Sequence, residues 1–337
     1  MRKLSLLLLL LSFFTISYAQ IIKGTILDKN TGSPIYFATI YISGTFVGTN
    51  SDLTGNFKLD ISKNSSMPII ISSLGYYSAS LSNYSPNKLY LIYLEPKIFE
   101  LKEVVITAKA NAFERKINLN IFKKEFLGAT LNAMSCQITN EDDIILTYNP
   151  VTDTLKAFSS NPILINNKAL GYNIIYYLDK FEFCWSKSYL LITGNYIFKE
   201  DSTNINSQLT RYERKRKSAY LGSRMHFFRA LWENNLDSAG FTVKDSANVR
   251  LSYDKYVIQI DSIIGSDHLK CLKYHGILFV AYHSKLPQSR IVMLKDNIYF
   301  YKDGFFDPLG IGWQGEMAKQ RIADLLPFEY SIKQSNR

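Results

Sequence analysis

The sequence predicts a mainly β chain with α+β character: an N-terminal seven-stranded β-sandwich followed by an α+β region with one long helix. Three observations carry this. Residues 21–95 divide into seven short apolar or alternating runs separated by turn residues, at the roughly 8–12-residue spacing of a sandwich. Residues 209–237 then read as one long helix that places Tyr220, Phe227 and Leu231 on one face, among further strand-like runs. With 47% hydrophobic and 20% charged residues in 337, and only 9 Pro and 17 Gly, the chain can bury a core, which excludes disordered and collagen-like classes.

The first element is a leader. Arg2 and Lys3 precede an apolar run over 4–16, and Ser17-Tyr18-Ala19 sets small residues at the cleavage positions. This predicts a secretory signal over 1–19, cut between Ala19 and Gln20. The run falls short of the ~20 residues that span a bilayer, and no later stretch reaches that length. No cysteine follows it to carry a lipid. The chain is therefore expected to be exported, with no transmembrane segment once the leader is gone.

The sandwich strands are expected at 21–27, 36–43, 46–50, 57–61, 69–73, 77–81 and 88–94. The turn cluster Asp28-Lys29-Asn30-Thr31-Gly32-Ser33-Pro34 separates the first two, and Asp52-Leu53-Thr54-Gly55 follows the third. Phe57, Leu59 and Ile61 alternate with Lys58 and Asp60, the pattern of a half-buried strand. Pro68, Gly75 and Pro96 punctuate the rest.

Gly24, Asp28, Gly32, Pro34, Ala38, Gly44, Gly48-Thr49, Asp52, Gly55, Phe57 and Leu74-Gly75-Tyr76 together resemble the carboxypeptidase-regulatory-like domain. The resemblance implies a transthyretin-like, Ig-like sandwich over 20–97, of the kind often found at the N-terminus of outer-membrane receptors of Gram-negative bacteria. It implies fold, since its motif residues are turn glycines and core positions. It also places the exported chain in the periplasm or at the outer-membrane periphery. Residues 98–118 are expected to form a linker or strand, with Glu103-Val104-Val105-Ile106-Thr107-Ala108 similar to the segment that leads into the receptors' plug and barrel. The residues that follow are too few for a transporter barrel of about 22 strands.

Residues 119–337 are expected to form an α+β domain. A helix is predicted at 120–127, ended by Gly128, and strands at 144–148, 154–158, 163–165, 172–178, 181–185 and 189–198. The long helix at 209–237, closed by Gly240, precedes strands at 249–252, 256–260, 276–283, 290–294 and 297–301. A last helix at 316–326 stops at Pro327. Phe126-Leu127-Gly128, residues 167–177, Ala219-Tyr220-Leu221-Gly222-Ser223 and Ala323-Asp324-Leu325-Leu326-Pro327-Phe328 look like exported proteins known only by their carboxypeptidase-regulatory-like domain, a resemblance that brings no activity.

No familiar constellation of catalysis is complete. Zinc carboxypeptidases open with His-x-x-Glu, but the residues three places after His226, His268, His275 and His283 are Arg229, Cys271, Leu278 and Leu286. His-Glu-x-x-His, Gly-x-Ser-x-Gly and Gly-Lys are absent. Gly310-Ile311-Gly312-Trp313-Gln314-Gly315 matches Gly-x-Gly-x-x-Gly, but too little chain follows for a dinucleotide fold, so it is expected to be a turn into the last helix. Asp28 to Gly32 faintly resembles a calcium loop and lacks the later Glu. Ser85 with Lys88 and Ser252 with Lys255 are Ser-x-x-Lys spacings expected by chance. Cys271 with His275 lacks an orienting acid. His275 and His283, eight apart, would stand about 26 Å from each other on a strand, too far to share an ion. No catalytic residue, metal ligand or cofactor is assigned.

Three cysteines, Cys136, Cys184 and Cys271, leave at least one thiol unpaired. Buried free thiols are the preferred reading, with a pairing of any two left open. The net charge of +10 favours anionic material such as phospholipid, cell-wall polymer or acidic glycan, and not nucleic acid in an exported chain. Arg211, Arg214, Lys215, Arg216 and Lys217, with Glu213 inside the run, form the candidate patch for an anionic partner; a solvated helix end is the alternative. With 23 Tyr, 21 Phe and 3 Trp, exposed rings are available to stack on sugars, and Tyr76-Tyr77 and Tyr176-Tyr177 each put one ring on either face of a strand. The expected function is a non-catalytic exported envelope protein, a binding module for a protein partner or glycan. The alternatives are an accessory component of an outer-membrane nutrient receptor and an enzyme with its site in 119–337.

Overall fold

The computed structural model describes residues 20–62, 67–82, 84–86, 88–96, 112–202, 205–260, 269–283 and 288–332. The expected leader with Ala19, and the Glu103 to Ala108 segment, lie outside the described residues.

All seven sandwich strands form: β1 (Ile21–Asp28), β2 (Thr39–Ile42), β3 (Gly48–Asn50), β4 (Asn56–Asp60), β5 (Ile69–Ser72), β6 (Ala79–Leu81) and β7 (Leu89–Leu94). They make two sheets, β4-β1-β7 and β3-β2-β5-β6, with β1 and β7 parallel. Phe57 and Leu59 of β4, and Tyr90, Ile92 and Leu94 of β7, point inward by strict alternation. They meet Ile40, Ile42, Ile69 and Ile71 of the facing sheet in one core. The Asp28 loop is a tight turn. The Asp28 carboxylate accepts the N–H groups of Asn30 and Thr31 at 2.8 Å each and the Tyr76 hydroxyl at 2.8 Å, and these bonds hold its pKa below the usual carboxylate value.

A second core is built on α1 (Ala112–Leu127) and a six-stranded sheet. Its strands are β8 (Cys136–Ile138), β9 (Ile144–Asn149), β10 (Thr154–Ser159), β11 (Ile163–Asn167), β12 (Tyr172–Cys184) and β13 (Tyr189–Glu200). Two expected strands, 172–178 and 181–185, fuse into β12. A register shift between Leu178 and Lys180 absorbs one residue, so Asp179-Lys180 marks a bulge where the sequence suggests a turn. One edge of β12 pairs first with β11 and then with β10, while its other edge pairs along its length with β13. Phe122 and Phe126 of α1 lie on this sheet, 4.8 Å from the Phe181 ring and 5.0 Å from the Tyr176 ring respectively.

The expected long helix is two helices, α2 (Asn206–Tyr220) and α3 (Arg224–Trp232). Gly222 sits at φ +78°, a left-handed conformation that ends α2, and the Ser223 hydroxyl caps α3 by accepting His226 N–H at 3.0 Å. Tyr220 consequently packs in the second core, and Phe227 and Leu231 in a third.

That third core lies between α3 and two sheets, β14-β17-β18-β20 and β15-β16-β19. The elements are β14 (Phe241–Lys244), α4 (Tyr253–Tyr256), β15 (Val257–Gln259), β16 (Leu269–Lys273), β17 (Ile277–Tyr282), β18 (Ser289–Met293), β19 (Asn297–Tyr301), β20 (Ile311–Gln314) and α5 (Glu316–Lys319). The expected strand at 249–252 is reduced to one bridge between Lys244 and Arg250. The Gly310 to Gly315 stretch is no turn into a helix: Ile311–Gln314 pairs with Arg290 to Met293 as β20. The expected helix at 316–326 breaks after α5, because Arg321 is extended (φ −123°, ψ −165°), and a 3-10 turn over Ile322–Asp324 follows.

The three cores are tied together. Tyr41 of β2 stacks on Tyr177 of β12 at 5.2 Å, beside Ile70, Ile175 and Ile197. Gly44 N–H donates to Tyr196 O at 2.7 Å, and Phe198 N–H to Thr45 O at 3.0 Å. The C-terminal stretch packs against two of the cores and is tied to α3. Phe328 joins the sandwich core and Tyr330 the second. The Arg229 guanidinium of α3 donates to Tyr330 O at 2.7 Å and Phe328 O at 2.9 Å. Among the described residues no helix is long and apolar enough to cross a membrane.

Candidate ligand-binding groove

The chemistry-bearing residues singled out in the sequence are mostly dispersed. Cys136, Cys184 and Cys271 are free thiols. Burial pushes the Cys136 thiol up to about 12 and raises Cys271 as well, whereas the Ser186 hydroxyl beside Cys184 lowers that thiol. Cys271 is buried, while the His275 ring is turned out to solvent and bonded at 3.0 Å to Asp296, so they form no thiol–imidazole pair. Ser85 N–H donates to the Tyr90 hydroxyl, and Lys88 lies over the Tyr90 ring, which engages both in holding the sandwich turn. Among the described residues no group of three His, Cys, Asp or Glu side chains is placed to hold a metal ion.

The basic run lies on α2 and divides. Arg211, Arg214 and Lys217 are exposed and Lys215 is half-exposed. Arg216 is a correction to the expected patch. It is 5% exposed and turned into the protein, where its Nε donates to Leu170 O at 2.8 Å. Its Nη1 donates to Glu200 and Glu213 at 3.1 Å each and its Nη2 to Gly171 O at 3.3 Å. It also stacks 4.1 Å above the Tyr172 ring. Helical spacing is the reason: Arg216 shares a face with the buried Tyr212, Ala219 and Tyr220.

The aromatic pairs divide too. The Tyr76 hydroxyl is bonded to Asp28, and Tyr77 is exposed. Tyr176 is core, and Tyr177 packs against Tyr41. An exposed ring cluster forms elsewhere, from Tyr148, Phe183 and Trp185. Tyr148 stands at 88° to Trp185, so the cluster offers no flat platform for a sugar.

The feature shaped like a ligand site lies at the C-terminal end of α3. A groove of about 290 Å³ is lined by Asn234, Asn235, Asp237, Ser238, Arg250 and Tyr253, with Leu236, Phe241, Val243 and Leu251 beneath. Asn234 adopts φ +51°, the left-handed conformation that Asn tolerates, and reverses the chain after α3. The Asn235 and Leu236 carbonyls are then tied down by Ala239 N–H at 2.9 Å and Phe241 N–H at 2.8 Å, which fixes the turn. Across the groove, Leu251 N–H donates to Val243 O at 3.0 Å and holds Arg250 opposite Asp237, with Nη2 to Oδ1 at 3.0 Å. Lys270 donates to the Tyr253 hydroxyl at 2.9 Å and to Trp232 O at 2.7 Å, which fixes the Tyr253 end. The Asn234 and Asn235 side-chain amides are exposed and make no hydrogen bond to the described residues.

The groove therefore combines neutral amides, a hydroxyl, an ion pair open to solvent and an apolar floor, and neither a histidine nor a cysteine lines it. Sequence reasoning missed it because Asn234 to Asp237 fell in the expected helix over 209–237, and Arg250 and Leu251 in the expected strand over 249–252. The signal was present: Asn234-Asn235 and Asp237-Ser238 are turn formers, out of place in the last turns of a helix.

No curated protein matches the sequence. Among solved structures, a candidate carbohydrate binding protein from Bacteroides uniformis is 11% identical, with 52% of this chain and 78% of that chain covered and a TM-score of 0.18. A 9R-lipoxygenase from Cyanothece is 9% identical, with 68% of this chain and 49% of that chain covered and a TM-score of 0.21. At these scores neither likeness bears on the fold of this chain. The family comparison is specific: residues 22–106 match the CarboxypepD_reg-like domain, and the N-terminal sandwich is a carboxypeptidase-regulatory-like domain.

Proposed function

We propose that this chain is a non-catalytic exported envelope protein that binds glycan, with the groove between Asn234 and Tyr253 as the ligand site. The observation that carries the reading is the pair of unengaged amides above an apolar floor. A sugar presents hydroxyls that each donate and accept, with C–H patches between them. Asn234 and Asn235 supply both donor and acceptor, Asp237 accepts, Arg250 donates, and Phe241, Val243 and Leu251 meet the C–H patches. The volume, about 290 Å³, lies at the small end of ligand pockets and suits a single sugar ring or a chain end. The regulatory-domain match over 22–106 and the leader-like residues 1–19 support the non-catalytic and exported parts of the reading.

The test is a glycan array followed by calorimetry, comparing the chain with Asn234→Gly/Asn235→Ala. Glycine keeps the left-handed backbone at 234 while deleting the amide. Two lost hydrogen bonds of about 1 kcal/mol each weaken binding about thirtyfold. An array with no hit, or a hit that the variant binds as well, overturns the reading. A second reading, accessory to an outer-membrane receptor, is favoured by the matched domain alone; cross-linking in the native envelope that recovers one stoichiometric receptor would support it.

A further inference from the structure

We propose that the exposed face of α2 docks the protein on an anionic lipid bilayer. Arg211, Arg214 and Lys217, each three residues after the last, form one ridge along this helix, with Lys215 at its flank. Among the described residues none of the four has an ion-pair partner. Lysines elsewhere do: Lys123 with Glu141, Lys156 and Lys180 with Glu182, Lys295 with Asp307 and Lys319 with Glu316. Glu200 and Glu213, beside the run, both pair with the buried Arg216. Adjacent cations on one helix repel one another, so a ridge of them is a local conflict that an external negative surface resolves. The whole chain adds a net charge of +10.

The form of the partner follows from the form of the ridge. The exposed face of α2 carries Ser207, Thr210 and Ser218 beside the cations, with no exposed aromatic ring among its described residues to stack on a base. A convex row of long, unengaged cations matches a laterally extended layer of phosphate headgroups better than a single small anion. Attraction to such a layer amounts to about fivefold in partitioning for each cation and fades within a Debye length.

The experiment uses the chain from Gln20 onward, which holds every described residue and lacks the apolar run over 4–16 that would itself enter lipid. Partitioning is measured by co-sedimentation with phosphatidylglycerol-rich vesicles and with pure phosphatidylcholine vesicles. The variants are Arg211→Gln/Arg214→Gln/Lys217→Gln, which keeps a good helix former at each position, and Arg250→Gln in the groove. The expected result is binding to the anionic vesicles alone, lost at high salt, about a hundredfold weaker in the triple variant and unchanged in Arg250→Gln. The proposal is overturned if the chain ignores anionic vesicles, if the triple variant binds as the parent does, or if inorganic phosphate at matched ionic strength displaces the chain. Failure of the glycan array leaves this result untouched, and the reverse holds, because the triple variant keeps every groove residue and Arg250→Gln keeps every residue of α2.

Discussion

Replacing Arg216 by alanine should be among the most damaging single changes in the chain. Its guanidinium, with a side chain 7% exposed, donates to two backbone carbonyls, Leu170 O and Gly171 O, that shape the turn between β11 and β12. A bond from a charged donor to a buried acceptor contributes about 1.5–3 kcal/mol, and the longer contact to Gly171 falls at or below the low end. The Tyr172 ring at 4.1 Å adds about 1 kcal/mol. Glu200 adds little, because its side chain is 60% exposed and screened. The sum is about 3–5 kcal/mol, in line with removing one member of a buried charged network. Urea denaturation should therefore show a lower midpoint at unchanged slope for Arg216→Ala. Arg216→Lys keeps the charge but loses the fork that reaches both carbonyls and both carboxylates, and should recover only about 1 kcal/mol. Equal stability of Arg216→Ala and the parent, or full rescue by lysine, would refute the assignment of Arg216 to the interior.

Two further outcomes follow from the same packing. Gly171 holds φ +68°, and a methyl group there would run into the Tyr212 ring; Gly171→Ala should cost about 2–5 kcal/mol from left-handed strain and overpacking, and a loss below about 1 kcal/mol in thermal unfolding would contradict it. Burial, with Arg229 and His283 adding repulsion, lowers the His226 pKa from 6.5 to about 4, so the folded protein resists protonation that the unfolded chain accepts. The stability this confers is complete above pH 6.5 and falls away as pH drops toward about 4; His226→Phe should flatten the stability profile across that window, and an unchanged slope would exclude His226 as its source.

The sandwich was legible because short strands with period-two alternation and Asp- or Gly-led turns have few alternative readings. β4 shows this, since Phe57 and Leu59 face in while Asn56, Lys58 and Asp60 face out. The second half was legible only where one strand face carried the pattern. β16 escaped because its buried residues, Cys271 and Leu272, are neighbours, and Lys270 is half-buried to donate to Trp232 O. The break between α2 and α3 escaped because Gly222 is the only breaker there, and the Tyr282 ring that leaves no room for a side chain at 222 is sixty residues further along the chain. The groove escaped for a related reason. Its walls come from two turns that meet through the third core, and nothing in either turn encodes the other.

The C-terminal stretch has a consequence for how the molecule is made. Phe328, half-buried, packs against the sandwich core, although every strand of that sandwich lies before residue 95. A chain emerging from its N-terminus therefore forms the sandwich strands early but leaves the apolar surface that Phe328 covers exposed until nearly all the rest has arrived. Such contacts are long-range and slow to form. Until residue 328 arrives, the patch it covers stays in water, so the last residues of the chain complete what its first strands begin.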